Sequence, residues 1–155
     1  MRTPSLQEFK RWSREHYALA YAVVAAQAFA QCERARVDAY IAPIFERHTF
    51  NVCERFAKSP PERITNIGNL YLTDLEAPDY LAFLAECDAA NRAHGWTGQD
   101  GFCPALVAEH EATKAERALI DAGRELMGIE QDLYGDNRAK MLRLLLEMCL
   151  SRKAA

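Results

Sequence analysis

The sequence has little that interrupts a helix: 7 glycines and 6 prolines in 155 residues, and those few fall in clusters. It also has no C-x-x-C pair. The 5 cysteines (Cys32, Cys53, Cys87, Cys103 and Cys149) are scattered and odd in number, which argues against a disulfide framework and for a reducing compartment. Charge of one sign is scarce as well. A net charge of −3 and a pI near 5.8 give no general attraction for phosphate backbones or anionic lipid, so nucleic acid is disfavoured as a partner. No apolar run is long enough for a bilayer: the most apolar one, residues 17–30, falls short of the roughly 20 residues a membrane helix needs. The first eight residues carry no apolar h-region of a secretory signal, so a cytoplasmic location is expected.

What is present fits a folded domain. Half of the residues are hydrophobic and 26% are charged, too apolar for disorder. A chain of this length buries about 68–70% of its unfolded surface and needs neither metal nor disulfide to fold. With no internal repeat and no low-complexity tract, residues 1–155 read as a single helical domain.

The pattern predicts an all-α bundle of five to six helices with a long first helix. Ser5-Leu6-Gln7-Glu8 has the form of a capping box, and nothing breaks the chain from there to residue 42. Such a helix would be about 55 Å long at 1.5 Å per residue, more than a domain this size can enclose. It must kink, project or pair with another chain. Its middle, residues 17–30, is apolar nearly all round, the mark of a buried helix. Pro43 is expected to break or kink it. Ser59-Pro60-Pro61-Glu62 combines a stop with a second capping box, and residues 64–75 read as a short helix followed by an extended piece. Pro78 opens the next helix and Gly95 closes it as a left-handed cap. Pro104 starts another, which ends at Gly128. Asp136 or Asn137 caps the last helix, whose apolar residues leave only the narrow polar stripe of Lys140, Arg143, Glu147 and Ser151.

The candidates for chemistry are few. A di-iron carboxylate bundle needs Glu-x-x-His, and no glutamate here is followed by histidine three residues later. Cys87, His94, Cys103 and His110 are the right ligand types for tetrahedral zinc. However, Cys87 and His94 lie about 10 Å apart along one predicted helix, too far for two ligands of one ion. The loop 95–103 lacks the phosphate-loop pattern, and Trp96 and Phe102 are expected to plug it onto the bundle. Glu109, Glu111, Glu116 and Asp121 read as a solvated face. A pocket between helices could be lined by His16, Tyr17, Tyr21 and Gln27, polar groups within an apolar stretch, although core tyrosines with satisfied hydroxyls are the simpler reading.

No motif assigns a reaction or a cofactor. The leading expectation is a non-enzymatic protein–protein interaction module whose partner is a second copy of itself, most simply in a two-fold dimer. It rests on a first helix too long for the domain and on a last helix apolar on three sides, with Leu142, Leu145, Leu146 and Met148 as interface. The alternative is a small-ligand- or metal-binding protein, or a small enzyme, with a pocket between helices.

Overall fold

The computed structural model describes residues 11–58 and 77–151. Among these the chain is all-α, with four helices and no strand: α1 (Arg14–Lys58), α2 (Ala77–Ala93), α3 (Pro104–Met127) and α4 (Gly135–Ser151). The expected five to six helices are thus four within the described residues. The capping boxes at Ser5 and Ser59 and the element expected at 64–75 lie outside them.

α1 begins at Arg14 and is not continuous back through residues 11–13, which are not helical. Ser13 is the cap. Its carbonyl accepts from the Tyr17 N–H at 3.4 Å, and its own backbone N–H donates to His16 Nδ1 at 3.0 Å. This is half of a capping box, with an imidazole where glutamate usually stands. Trp12, one residue before the cap, is buried in the core to which Tyr17 also packs, the two positions a hydrophobic staple uses.

Pro43 does not end α1. Its ring removes one helical hydrogen bond and crowds the preceding turn, at a cost of about 3 kcal/mol. Pro43 and Ala39 are both exposed, so water can meet the carbonyl left unpaired. Val37 and Ile44, buried on either side, hold the helix in register. The result is 45 residues of helix, about 67 Å at 1.5 Å per residue.

That length is used within the chain. The structure divides into two compact units, one formed by Met1–Gln31 with Ala108–Ala155, the other by Cys32–Val107. Both boundaries fall inside uninterrupted helices, α1 and α3, where no glycine or proline could signal them. The core-facing residues of α1 follow a strict 4-3 alternation. His16, Ala20, Val23, Gln27 and Ala30 are buried or half-buried in the first unit, and Arg34, Val37, Ile41, Ile44 and His48 in the second. A spacing of 3.5 is the seam of left-handed helix packing.

In the first unit Val23, Leu119, Met141 and Leu145 are fully buried and form the centre with Trp12, Ala20, Ile120 and Cys149. Beside them Ala30, Ala108 and Ala112 make a small-residue contact. Gly123 is a point of close approach: a methyl group there would stand 2.7 Å and 2.8 Å from the two terminal carbons of Leu145. The second unit is smaller in its core, with Val37, Cys103 and Ala105 joined by Tyr40 and Ile41. The buried amide of Asn91 accepts from the Tyr40 hydroxyl at 2.8 Å.

Both expected glycine stops occur. Gly95 (φ 91°) and Gly128 (φ 65°) take the left-handed conformation that ends α2 and α3. In each case the next residue bonds back five positions, Trp96 N–H to Asn91 O at 2.9 Å and Ile129 N–H to Arg124 O at 2.9 Å. This satisfies carbonyls the helix end would leave bare. Pro104 begins α3 as expected, with the Cys103 carbonyl accepting from Val107. The last helix starts slightly before the expected cap at Asp136, the Tyr134 carbonyl accepting from Arg138 at 3.4 Å. No helix among the described residues is long and apolar enough to cross a membrane.

Candidate functional site

The residues proposed to line a pocket in α1 are occupied in other ways. His16 binds the helix start, with the Ser13 hydroxyl 3.1 Å from its Nδ1, and meets the Trp12 ring edge-on at 4.4 Å. Tyr17 packs half-buried against the core. Gln27 donates to Glu116 Oε1 at 2.9 Å, and Arg138 Nη2 lies 3.6 Å from the other oxygen of that carboxylate. Glu116 is therefore half-buried and bridges helices, not part of a solvated face as its sequence neighbours suggest. Tyr21 faces outward at 38% exposure.

The four candidate zinc ligands do not gather. No group of three or more His, Cys, Asp or Glu able to hold a metal occurs among the described residues. Cys87 and Cys103 line one small cleft of about 180 Å³ in the second unit, together with Val37, Ile41, Leu84 and Phe102. His94 stacks on Tyr40 at 3.9 Å and places Nδ1 at 2.9 Å from the Ala90 carbonyl, completing the end of α2. His110 is exposed on α3 and belongs to the first unit. The loop after α2 is closed by its own bonds. Arg92 reaches the Trp96 carbonyl at 3.2 Å and Asp100 at 2.7 Å, and Asp88 accepts from the Gly101 N–H at 2.9 Å. Trp96 is half-buried there, but Phe102 is 49% exposed and plugs nothing.

The cleft around Cys87 governs its acidity. Burial, reinforced by Asp88 and Glu86, pushes the thiol from an ordinary value near 9 up to about 11. It is therefore a protonated packing group at neutral pH and a poor nucleophile. The folded state holds this proton more tightly than the unfolded chain, so the associated stability is fully present below pH 9 and is lost between pH 9 and 11. Burial shifts Tyr40 upward as well, in the same direction. Thermal melts from pH 8 to 11 should show a shallower decline for Cys87→Ala than for the unaltered protein. Parallel declines would place the alkaline sensitivity elsewhere.

A cleft of about 580 Å³ lies in the first unit, between α3 and the start of α4. Arg117, Arg124 and Arg138 line it, with Thr113, Ile120, Leu133 and Tyr134. Sequence reading missed it because its arginines are spread over 22 residues of chain, and two of them sit next to carboxylates that look like ordinary helix-surface pairs.

The residues expected at an interface on the last helix serve the chain's own core. Leu145 is fully buried, and Leu142, Leu146 and Met148 pack half-buried against it. This corrects the three-sided surplus read from the sequence, since little of it is left for a second subunit. The all-round apolar middle of α1 is corrected in the opposite sense. Ala18, Tyr21, Ala22, Val24, Ala25, Ala28 and Phe29 are all exposed, Phe29 by 60%. No model of a known protein family, no curated protein and no solved structure matches the chain.

Proposed function

We propose that this protein is a non-enzymatic helical interaction module that pairs with a second copy of itself through the outward face of α1. One observation carries the reading: from Ala18 to Phe29 the exposed face of the helix bears no charge. A surface helix ordinarily turns polar residues to water, and an exposed apolar patch of this kind marks an interaction site.

The order of side chains on that face favours a second copy as occupant. A two-fold axis requires one patch to complement itself. With two antiparallel α1 helices related about Ala25, Tyr21 of each copy meets Phe29 of the other, and Ala22 meets Ala28. The alanines let the backbones approach closely, and the aromatic pairs at both ends add about 0.5–1.5 kcal/mol each beyond the area they bury. The free thiols at Cys32, Cys87, Cys103 and Cys149 suit a reducing compartment, and we assign the protein to the cytoplasm on that ground.

Light scattering on the purified protein at micromolar concentration tests the proposal. The expected mass is twice the 17.5 kDa of one chain. A strict monomer at 100 µM, a concentration of about −5.5 kcal/mol on the affinity scale, would overturn it.

A further inference from the structure

We infer that the cleft between α3 and the start of α4 binds the phosphate group of a phosphorylated small molecule. This is independent of self-association, since no residue of α1 lines the cleft. Three arginines and two carboxylates, Asp121 and Asp132, line it, and a third carboxylate, Glu116, lies 3.6 Å from Arg138. Those carboxylates already have a function. Asp132 holds Arg124 Nη1 at 2.7 Å and Asp121 holds it at 3.2 Å, while the Glu130 carbonyl takes Nη2 at 2.7 Å. The Arg124 guanidinium is thus fixed in place, with its side chain only 15% exposed. A rigid, pre-aimed guanidinium loses less entropy on meeting an anion than a free one.

Arg117 stands apart. It makes no hydrogen bond or ion pair among the described residues, so its full donor capacity is open to a ligand. Arg138 is partly committed, its buried Nη2 lying 3.6 Å from the Glu116 carboxylate, so Arg117 is the arginine of the three with no partner among the described residues. Gly135, the first residue of α4, also lines the cleft and brings the positive end of that helix to it.

The shape of the donor set selects the anion. A carboxylate offers two oxygens in one plane. A phosphate monoester offers three terminal oxygens and nearly two charges, which matches guanidinium groups approaching from α3 and α4 together with a helix end. The volume selects an organic ester over the free ion. About 580 Å³ is the size of a small-molecule site, far more than phosphate fills. Ile120, Leu133 and the Tyr134 ring, 76% exposed, supply apolar surface for the remainder of the molecule.

Isothermal titration with phenyl phosphate, inorganic phosphate and benzoate tests this. Phenyl phosphate should bind saturably, at least tenfold more tightly than either of the others. Arg117→Ala removes an exposed side chain without a partner and should weaken phenyl phosphate at least tenfold. Arg143→Ala, an exposed arginine outside the cleft, should change it by less than twofold. Absence of saturable phenyl phosphate binding, or an unchanged affinity in Arg117→Ala, would overturn the assignment. Benzoate binding as tightly would overturn the choice of phosphate, and inorganic phosphate binding as tightly would overturn the choice of an organic ester.

Discussion

Truncation of Leu145 to alanine is expected to lower the stability of the protein by about 3–5 kcal/mol, and Gly123→Ala is expected to restore about 1 kcal/mol of it. Leu145 is fully buried at the centre of the first unit, so its removal forfeits the transfer energy of the side chain and leaves a void. The loss is a large part of the roughly 5–15 kcal/mol by which a domain is stable. Gly123 makes the prediction more specific. In the unaltered protein an alanine there gains about 1 kcal/mol of helix propensity but presses a methyl group within 2.7 Å of Leu145, and overpacking costs about 1–3 kcal/mol. Leu145 is fully buried and would have to shift within a packed core, so the net effect is expected to be destabilising. Once Leu145 is alanine, the clash is gone and the new methyl fills part of the void. Gly123→Ala should therefore change sign between the two backgrounds. Urea midpoints of the four proteins of this cycle, at one protein concentration, measure it. The same sign in both backgrounds would mean that Leu145 does not press on Gly123.

Ala25→Glu should weaken self-association by more than about a hundredfold, because it sets two carboxylates against each other across the proposed two-fold axis in a patch closed to water. The fold of each copy should be untouched. Ala25 is exposed in the single chain, and surface substitutions of this kind usually change stability by less than about 0.5 kcal/mol. Sedimentation velocity should show a monomer with an unaltered circular dichroism spectrum. Ala25→Cys tests the register from the other side. A residue on the axis faces its own counterpart, so oxidation should link two chains at position 25, and peptide mapping would distinguish that bond from one through the native exposed Cys32. Crosslinking through Cys32 alone, or an Ala25→Glu protein that still pairs, would place the contact off this face.

Much of the fold was legible in the residues, and the reasons are local. Gly95 and Gly128 close their helices because only a residue without a side chain readily takes the left-handed turn, whatever surrounds it. Pro104 opens α3 because it needs no hydrogen-bond acceptor there. The cap at Ser13 has no sequence signature, because the partner at its third helical position is histidine, not glutamate. Pro43 does not end the helix, because its cost is set by one missing bond while Val37 and Ile44, buried on either side, hold the flanking turns.

The candidate sites were much less legible. Gln27 and Glu116 are separated by 89 positions, and nothing in either neighbourhood marks them as partners. The arginines of the large cleft become a set only when the loop 128–134 folds α4 back beside α3. The expectation of a second subunit rests on both the long first helix and the apolar last helix, and the two differ in burial. In α4 the seven apolar side chains from Met141 to Cys149 are buried or half-buried in the first unit, whereas in α1 a whole face remains outside.

By itself, then, the sequence determined the helices, most of their ends and the lack of a catalytic motif. These follow from backbone sterics, capping and spacing along one strand of chain. Only the tertiary structure decided which side of α1 is core. Both faces are equally apolar in residues 17–30, so no periodicity distinguishes them, and the choice is made by which side chains, such as Ala20, Val23 and Ala30, pack into the clusters formed with α3 and α4.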